Sequence, residues 1–296
     1  MSFSSNIKQE LNKNSNLANK ELVKDELLGY LISGNVDILN NKYIKFSTES
    51  DYNINRFSKL LSNLNIDYKI DISGKIFFVK FKIQEIDKFN ELIYCNDGKI
   101  LVNKNILEEK QNEENLRAII RGLFMGAGSV NNPENKYHLE MVMLNENNVQ
   151  IIVSALEKMD INAKELQLKN KCSIYIKEGE EISKLLALIG ANKAVMKFED
   201  IRIQREMRGK VNRLVNCETA NLNKTINASI EQIAAIKKLK QNRKFHKLDE
   251  NLKEIANLRL ENPNMPLAEL GKLLKEPVGK SGVNYRLKKI MEIARE

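Results

Sequence analysis

The sequence predicts an α+β fold: a seven-element unit, αββαββα, present twice and followed by an all-α C-terminal segment. Three observations carry this prediction. Two stretches of the first 200 residues share one order of helical and extended patterns at an offset of 93–96 residues. Each copy opens on an apolar helical run with a glycine inside it, Gly29 in one and Gly122 in the other. The last third of the chain drops the strand patterns and holds the whole basic excess.

The opening helices are ELLGYLISGNV (26–36) and IIRGLFMGAGSV (119–130), each with further glycines at its end. A glycine inside a helix costs about 1 kcal/mol relative to alanine, so it commonly marks a close approach of two backbones. Two such helices at equivalent repeat positions predict a helix-on-helix seam about a pseudo-two-fold axis. Ordinary core helices closed by glycine caps are the alternative. Next come KYIKFSTES (42–50) and KYHLEMVML (136–144), both extended and rich in strand formers. RFSKLLSNLNIDYKI (56–70) then matches IIVSALEKMDINAKEL (151–166), a helix running into a strand. GKIFFVKFK (74–82) matches NKCSIYIKE (170–178), with the alternation of a half-buried strand. A helix closes each unit. The domain boundaries implied are 1–108 and 109–208 for the two halves, and 209–296 for a linker helix and the C-terminal domain.

Composition narrows the class. A hydrophobic content of 42% with 29% charged residues fits a globular protein. No apolar stretch approaches the ~18 residues of a membrane span. The start, MSFSSNIKQELNK, lacks the apolar middle of a signal peptide, so a cytoplasmic protein with no membrane partner is expected. Cys95, Cys172 and Cys217 lie far apart, with no C-x-x-C pair and only two histidines in the chain. That argues against a zinc site or disulfide framework, and all three are expected as buried or semi-buried thiols. The G-x-G at 126–128 follows a helix rather than a strand and completes no G-x-G-x-x-G. His138 lies in a strand pattern without a cysteine or carboxylate at ligand spacing and reads as structural. No cofactor and no metal are implied.

Residues 1–200 hold 27 Lys+Arg against 28 Asp+Glu, whereas residues 201–296 hold 21 against 11. Such a segment is either polyanion-binding or a solvated basic face, and the pattern has to decide. Arg202, Arg205 and Arg208 recur every three residues, to meet phosphates or to pair with Glu199, Asp200 and Glu206, the pairing being favoured. From Glu218 to Lys240 the pattern is helical, with Ile226, Ile230, Ile233 and Ile236 as an apolar stripe. Leu248, Leu252, Ile255 and Ala256 mark the next helix, closed by Asn262-Pro263. Pro266 opens a short helix, LAELGKLLK, in which Gly271 leaves room for a crossing helix. After the turn EPVGK, Ser281 is a good N-cap for GVNYRLKKIMEIA, where Val283, Leu287, Ile290 and Ala294 share one side.

A short helix, a tight turn and a basic helix make a helix-turn-helix, here spanning Pro266 to Glu296. Its last helix enters the major groove of double-stranded DNA. Asn284, Tyr285 and Arg286 are the candidates for base edges and Lys288 and Lys289 for phosphates, with Lys280 and Ser281 completing the DNA-binding set. A three-helix bundle with an exposed basic helix is the alternative.

The repeated glycine-containing helices resemble those of the LAGLIDADG homing-endonuclease fold. There, two such helices pack at the centre and each ends in a carboxylate that binds the catalytic metal. Alignment on the glycines puts those acids at Gly34 and Ala127, with Met125 where the motif's other acid would stand. The resemblance therefore implies a scaffold kept and a metal site lost. It also implies a saddle of strands laid along a duplex. The scaffold's balance of −1 and acids such as Glu49, Asp51 and Glu140 point instead to contact with a protein partner or effector.

Over nearly the whole chain the sequence resembles the bacterial WhiA family of sporulation and cell-division regulators. The stretches that carry this are RGLFMGAGSVNNPENKYHLE, FEDIRIQREMRGKVNRLVNCETANLNKT and GKSGVNYRLKKI. The resemblance implies a duplicated, degenerate LAGLIDADG-like αββαββα scaffold followed by an all-α helix-turn-helix domain. It implies sequence-specific DNA binding and transcription regulation at the nucleoid, in cell division and chromosome segregation, without nuclease activity. Two positions depart from the family: Pro266 replaces a helix-capping Thr and Tyr285 a typical His. The rival readings are a metal-dependent homing endonuclease and a protein-interaction platform with DNA binding secondary.

Overall fold

The computed structural model describes residues 2–13, 17–89, 93–96, 98–104, 112–168 and 171–295. Contacts divide it into two units, Met1–Arg205 and Glu206–Glu296. The first unit opens on α1 (Phe3–Lys13), whose Phe3, Ile7 and Leu11 recur at every fourth position and are all buried. One copy of the repeat follows as α2 (Lys20–Leu31), β1 (Val36–Leu39), β2 (Tyr43–Thr48), α3 (Asp51–Asn63), β3 (Tyr68–Ser73) and β4 (Ile76–Lys82). After β4 come a 3₁₀ helix (Ile83–Phe89) and a hairpin of β5 (Ile93–Asn96) and β6 (Lys99–Val102), and residues 105–111, ahead of the second copy, lie outside the described residues. The second copy is complete: α4 (Glu113–Ala127), β7 (Gly128–Val130), β8 (Leu139–Met143), α5 (Glu146–Lys158), β9 (Lys164–Leu168), β10 (Lys171–Ile176) and α6 (Gly179–Leu188).

The two four-stranded sheets have one topology, β1-β2-β4-β3 and β7-β8-β10-β9, antiparallel throughout. Helix starts repeat as well. Asn19 and Asn112 cap α2 and α4, and Ser50 and Asn145 cap α3 and α5, each accepting from a first-turn N–H. The strands bury alternate residues against the helices: Ile44, Phe46, Val79 and Phe81 in one sheet, Leu139, Met141, Met143 and Ile174 in the other.

The glycines mark a seam between helices. A Cβ on Gly29 would stand 2.0 Å from the carbonyl oxygen of Ile119, and one on Gly122 would stand 1.9 Å from that of Glu26. Neither glycine is a cap. Around the crossing, Leu27, Leu28 and Tyr30 of α2 and Ile120, Leu123 and Phe124 of α4 are fully buried. One ion pair lies beside them. Glu26 accepts two hydrogen bonds of 2.7 Å from Arg56 of α3, with both side chains buried, and Arg121 stands 3.7 Å away.

The last helix to start in this unit is α7 (Asn192–Gln241). The Glu10 carboxylate of α1 accepts from the N–H groups of Lys193 and Ala194 at 2.8 and 3.1 Å, satisfying donors that a helix start leaves free. The second unit holds the rest of α7, a 3₁₀ turn (Phe245–Lys247), α8 (Glu250–Glu261), α9 (Leu267–Lys272) and α10 (Lys280–Arg295). The isoleucine stripe expected on α7 is largely bare: Ile236 is buried, Ile233 is half-buried, and Ile226 and Ile230 are exposed. The covered side carries Ser229, Gln232, Ile236 and Leu239 instead. From 206 to 228 no side chain is buried.

Two smaller expectations also change. Cys95 and Cys217 are exposed, one on the hairpin and one on the bare part of α7, while Cys172 is buried as expected. Among the described residues no helix is long and apolar enough to cross a membrane.

The seam predicts intolerance to a single methyl group. Gly29→Ala or Gly122→Ala should lower the midpoint of thermal unfolding sharply, at a cost of about 3 kcal/mol or more. That is the upper end of overpacking, because backbone rather than flexible side chain blocks the space. An alanine variant with an unchanged circular-dichroism melt would show that the two backbones are not in contact.

Candidate nucleic-acid interface

The second unit closes around one core. Leu252, Ile255 and Ala256 of α8, Leu270 of α9, and Val283, Leu287, Ile290 and Ala294 of α10 pack on Ile236 and Leu239 of α7. The turn between α8 and α9 is held by a residue that hydrophobic patterning overlooks. Arg259 is 1% exposed, and its Nη1 donates to the carbonyls of Asn262, Pro263 and Met265 at 3.4, 3.2 and 2.8 Å. Burial pushes this guanidinium below its ordinary pKa. The Ser229 hydroxyl of α7 donates to the Pro263 carbonyl as well. The spacing of Leu252, Ile255 and Arg259 was the available signal, since an arginine in core register needs acceptors.

The turn from α9 to α10 is tight. Gly271 accepts from the Val278 N–H at 3.1 Å, and a Cβ at Gly271 would stand 2.1 Å from the Val278 carbonyl oxygen. So Gly271 admits the returning loop first, and the Val283 side chain of α10, at 3.0 Å, second. Helix α9 stops at Lys272, shorter than LAELGKLLK, and the Lys275 N–H beyond it donates to Glu254 at 2.7 Å.

Helix α10 starts at Lys280, so Ser281 lies in the first turn and is not the N-cap. The Val283 N–H donates to the Gly279 carbonyl at 3.2 Å, which puts the cap at Gly279. At about 100° per residue, Ser281, Asn284, Tyr285 and Lys288 share the face turned from the core. Tyr285 is 67% exposed, Ser281 and Lys288 are exposed, and Asn284 is half-buried. Lys289 is exposed on the next flank, 4.0 Å from Asp249. Lys280 is exposed in the first turn. Arg286 is half-buried on the flank away from Asn284, so these two do not stand together. Glu296, the last residue of the expected span, lies outside the described residues.

The three arginines spaced along α7 do not act alike. Arg202 pairs with Glu199 at 2.7 Å. Arg205 instead donates to the Pro133 carbonyl at 2.6 Å and lies 4.4 Å over the Tyr137 ring. Arg208 is exposed.

In the scaffold, the ends of α2 and α4 bring together Ser33, Gly34, Asn35, Gly126 and Ala127. The Gly34 N–H donates to the Val142 carbonyl, and Asn35 Nδ2 to the Gly126 carbonyl, both at 2.8 Å. These residues offer no carboxylate and do not fit a divalent metal of the homing-endonuclease kind. The acids flanking Gly34 in the chain are paired, Glu26 with Arg56 and Asp37 with Lys45. Among the described residues no group of three His, Cys, Asp or Glu is placed to hold a metal. On the outer strand faces, Lys45, Lys80 and Lys69 form a cross-strand row, with Asp37 3.1 Å from Lys45 and Asp71 3.7 Å from Lys80. The equivalent face of the other sheet carries Glu140, which accepts from Ser173 Oγ at 2.7 Å. His138 stacks on Tyr175 there, with Nε2 3.8 Å from Glu140.

Two family models match the chain: the WhiA LAGLIDADG-like domain over residues 116–208 and the WhiA C-terminal HTH domain over residues 211–294. A "Probable cell division protein WhiA" from Clostridium novyi is 38% identical across 100% of this chain and 98% of its own. The chain belongs to the WhiA family. A second WhiA relative, from Clostridium tetani, is 39% identical over the same shares of both chains. The crystal structure of full-length DUF199/WhiA from Thermatoga maritima superposes with a TM-score of 0.63 at 30% identity, covering 100% of this chain and 98% of that one. That of the N-terminal LAGLIDADG domain of DUF199/WhiA gives 0.52 at 25% identity, over 64% and 90%. In this WhiA chain, as in the family models, a LAGLIDADG-like scaffold thus precedes a helix-turn-helix domain that suggests DNA binding.

If Arg259 positions the turn before α9, Arg259→Leu should destabilise the second unit by about 2–4 kcal/mol, since three carbonyls lose a charged donor. Urea unfolding followed by circular dichroism measures this. An unchanged midpoint would mean that the turn holds without the arginine.

Proposed function

We propose that the protein is a sequence-specific DNA-binding transcription regulator of the WhiA kind, acting at the nucleoid in cell division and chromosome segregation, without nuclease activity. The observation that carries this reading is the outward face of α10. It presents Ser281, Asn284, Tyr285 and Lys288 together on a helix that follows a tight turn, in the part of the chain that holds the basic excess. Asn284 and Tyr285 face base edges, with Arg286 reaching from its own flank, and Lys280, Lys288 and Lys289 meet phosphates. The absence of an acid at Gly34 and Ala127 supports the loss of cutting. A regulator held in the cytoplasm with its DNA is the corresponding location. For the scaffold we favour contact with a protein partner or effector over a DNA grip, because two of its three row lysines are tied to acids and its second sheet centres on Glu140.

A mobility-shift series with the intact chain tests the division of roles. Lys288→Ala or Lys289→Ala should weaken binding on all duplexes and shrink the salt dependence by roughly one counterion each. Asn284→Ala should instead erode discrimination between sites, by about 1–3 kcal/mol for a direct base contact. The Lys45→Ala, Lys69→Ala, Lys80→Ala triple variant should keep both affinity and salt slope. Lysine and asparagine variants that behave alike on selected and random DNA would refute the assignment, and a triple variant that binds weakly would restore the scaffold's grip.

Cutting is checked separately. Supercoiled plasmid incubated with the protein and Mg²⁺ or Mn²⁺ should stay supercoiled; nicking that a chelator abolishes would mean that a metal site exists after all.

A further inference from the structure

The bare part of α7 is built from residues that a merely solvated helix does not need. Between 206 and 228 no side chain is buried, so packing does not choose these residues. Exposed helix positions free of packing are best filled by Ala, Glu, Lys, Gln or Arg. This stretch instead holds Asn212, Asn216, Asn221, Asn223 and Asn227, with Thr219, Thr225 and Gly209, all poor helix formers. Their order is as informative as their number. Gly209, Asn212, Asn216, Thr219, Asn223 and Asn227 follow one another at steps of three or four, a single stripe along the helix. Arg208 lies to one side of it and Arg213 and Lys224 to the other, and the segment's acids are Glu206 and Glu218. Glu206 is spent on Lys210, at 2.8 Å. Met207, Val211 and Leu214 lie on the other side of the helix, and the exposed Val215, Leu222 and Ile226 run between them and the Arg208 edge of the amide stripe.

We infer that this stripe is a second DNA-contacting surface, laid along the duplex beyond the site of α10. The inference rests on the DNA-binding reading of the second unit and adds an element to it. Side-chain amides pair with adenine edges, arginine and lysine beside them neutralise phosphates, and a glycine lets the helix backbone come close to its ligand. A Cβ at Gly209 would meet only the Arg213 guanidinium, at 3.5 Å, so no intramolecular packing accounts for that glycine.

The stripe is also held in a fixed relation to α10. The end of α7 is part of the helix-turn-helix core through Ile236 and Leu239. Lys238 Nζ donates to the Ala294 carbonyl of α10 at 2.6 Å, and Lys240 Nζ to Asn257 of α8 at 3.2 Å. The bare stretch extends roughly 34 Å at ~1.5 Å per residue, about the length of one duplex turn.

The test uses the intact chain and a duplex that it selects from a random pool, with flanking sequence on both sides. Hydroxyl-radical footprints are compared for the parent, for the Asn212→Ala, Asn216→Ala, Asn223→Ala variant, and for the Arg208→Ala, Arg213→Ala variant. Alanine raises helix propensity at each site, so a loss of binding is not a loss of helix, and circular dichroism verifies this. The parent should protect a patch about one turn from the one that Asn284→Ala weakens. The asparagine variant should lose that outer patch, keep the inner one, and bind roughly tenfold or more weakly, as expected for losing a bidentate amide–base contact. The arginine variant should lower the salt slope by about two counterions. Equal footprints and slopes in all three proteins would overturn this inference alone and leave the stripe to an acidic protein surface. A parent chain that protects no DNA would remove the proposed function together with it.

Discussion

The contact of two helix backbones at Gly29 and Gly122 is the constraint on which the scaffold depends. No methyl group fits between α2 and α4, so the helices meet along their axes with nothing but hydrogen where side chains would stand. Everything that repeats in the scaffold is placed by that approach. The paired caps at Asn19 and Asn112 start both helices at the same distance from the crossing, and the two sheets of one topology are carried on either side of it. Their ends converge on Ser33, Gly34, Asn35 and Gly126, where hydrogen bonds to the backbone carbonyls of Val142 and Gly126 close the site. The packing of this scaffold therefore does not depend on acids at its helix ends.

The second unit relies on a different device. Its three short helices bury few large side chains, and polar groups do the locking that area does not: Arg259 gathers three carbonyls, Ser229 adds a fourth bond at the same turn, and Lys238 ties α7 to the end of α10. Buried donors of this sort need every acceptor in place, which makes the turn geometry all-or-none. The orientation of α10 against α8 and α9 is fixed in the same way.

What the sequence made legible follows from how its signals arise. The repeat was readable because helix and strand periods survive side-chain divergence, as the equivalent antiparallel pairings of β2 with β4 and β8 with β10 show. Helix α1 is faint in the sequence because Phe3, Ile7 and Leu11 are its only large apolar residues in an otherwise polar segment. On α7 the period was right and the phase was wrong. The core takes Ser229 and Gln232 while Ile226 and Ile230 face outward, a choice made by neighbouring elements and invisible along one helix. Ser281 failed as a cap for a similar reason: the α9 loop, fixed by Gly271 and Val278, delivers the chain to Gly279 already turned into the helix. The α10 face was legible from its i, i+4, i+7 core positions alone, with Arg286 on the flank.

The Glu26–Arg56 pair has a consequence for the order in which the scaffold assembles. Glu26 belongs to α2 at the point where Gly122 of α4 approaches, whereas Arg56 arrives on α3. Sealing α2 against α4 before α3 docks would leave Glu26 with only the Arg121 contact at 3.7 Å and without the two 2.7 Å hydrogen bonds from Arg56. Docking of α3 therefore completes the ion pair at the seam. The buried carboxylate of α2 is thus satisfied in full only when α3 and α4 are both in place.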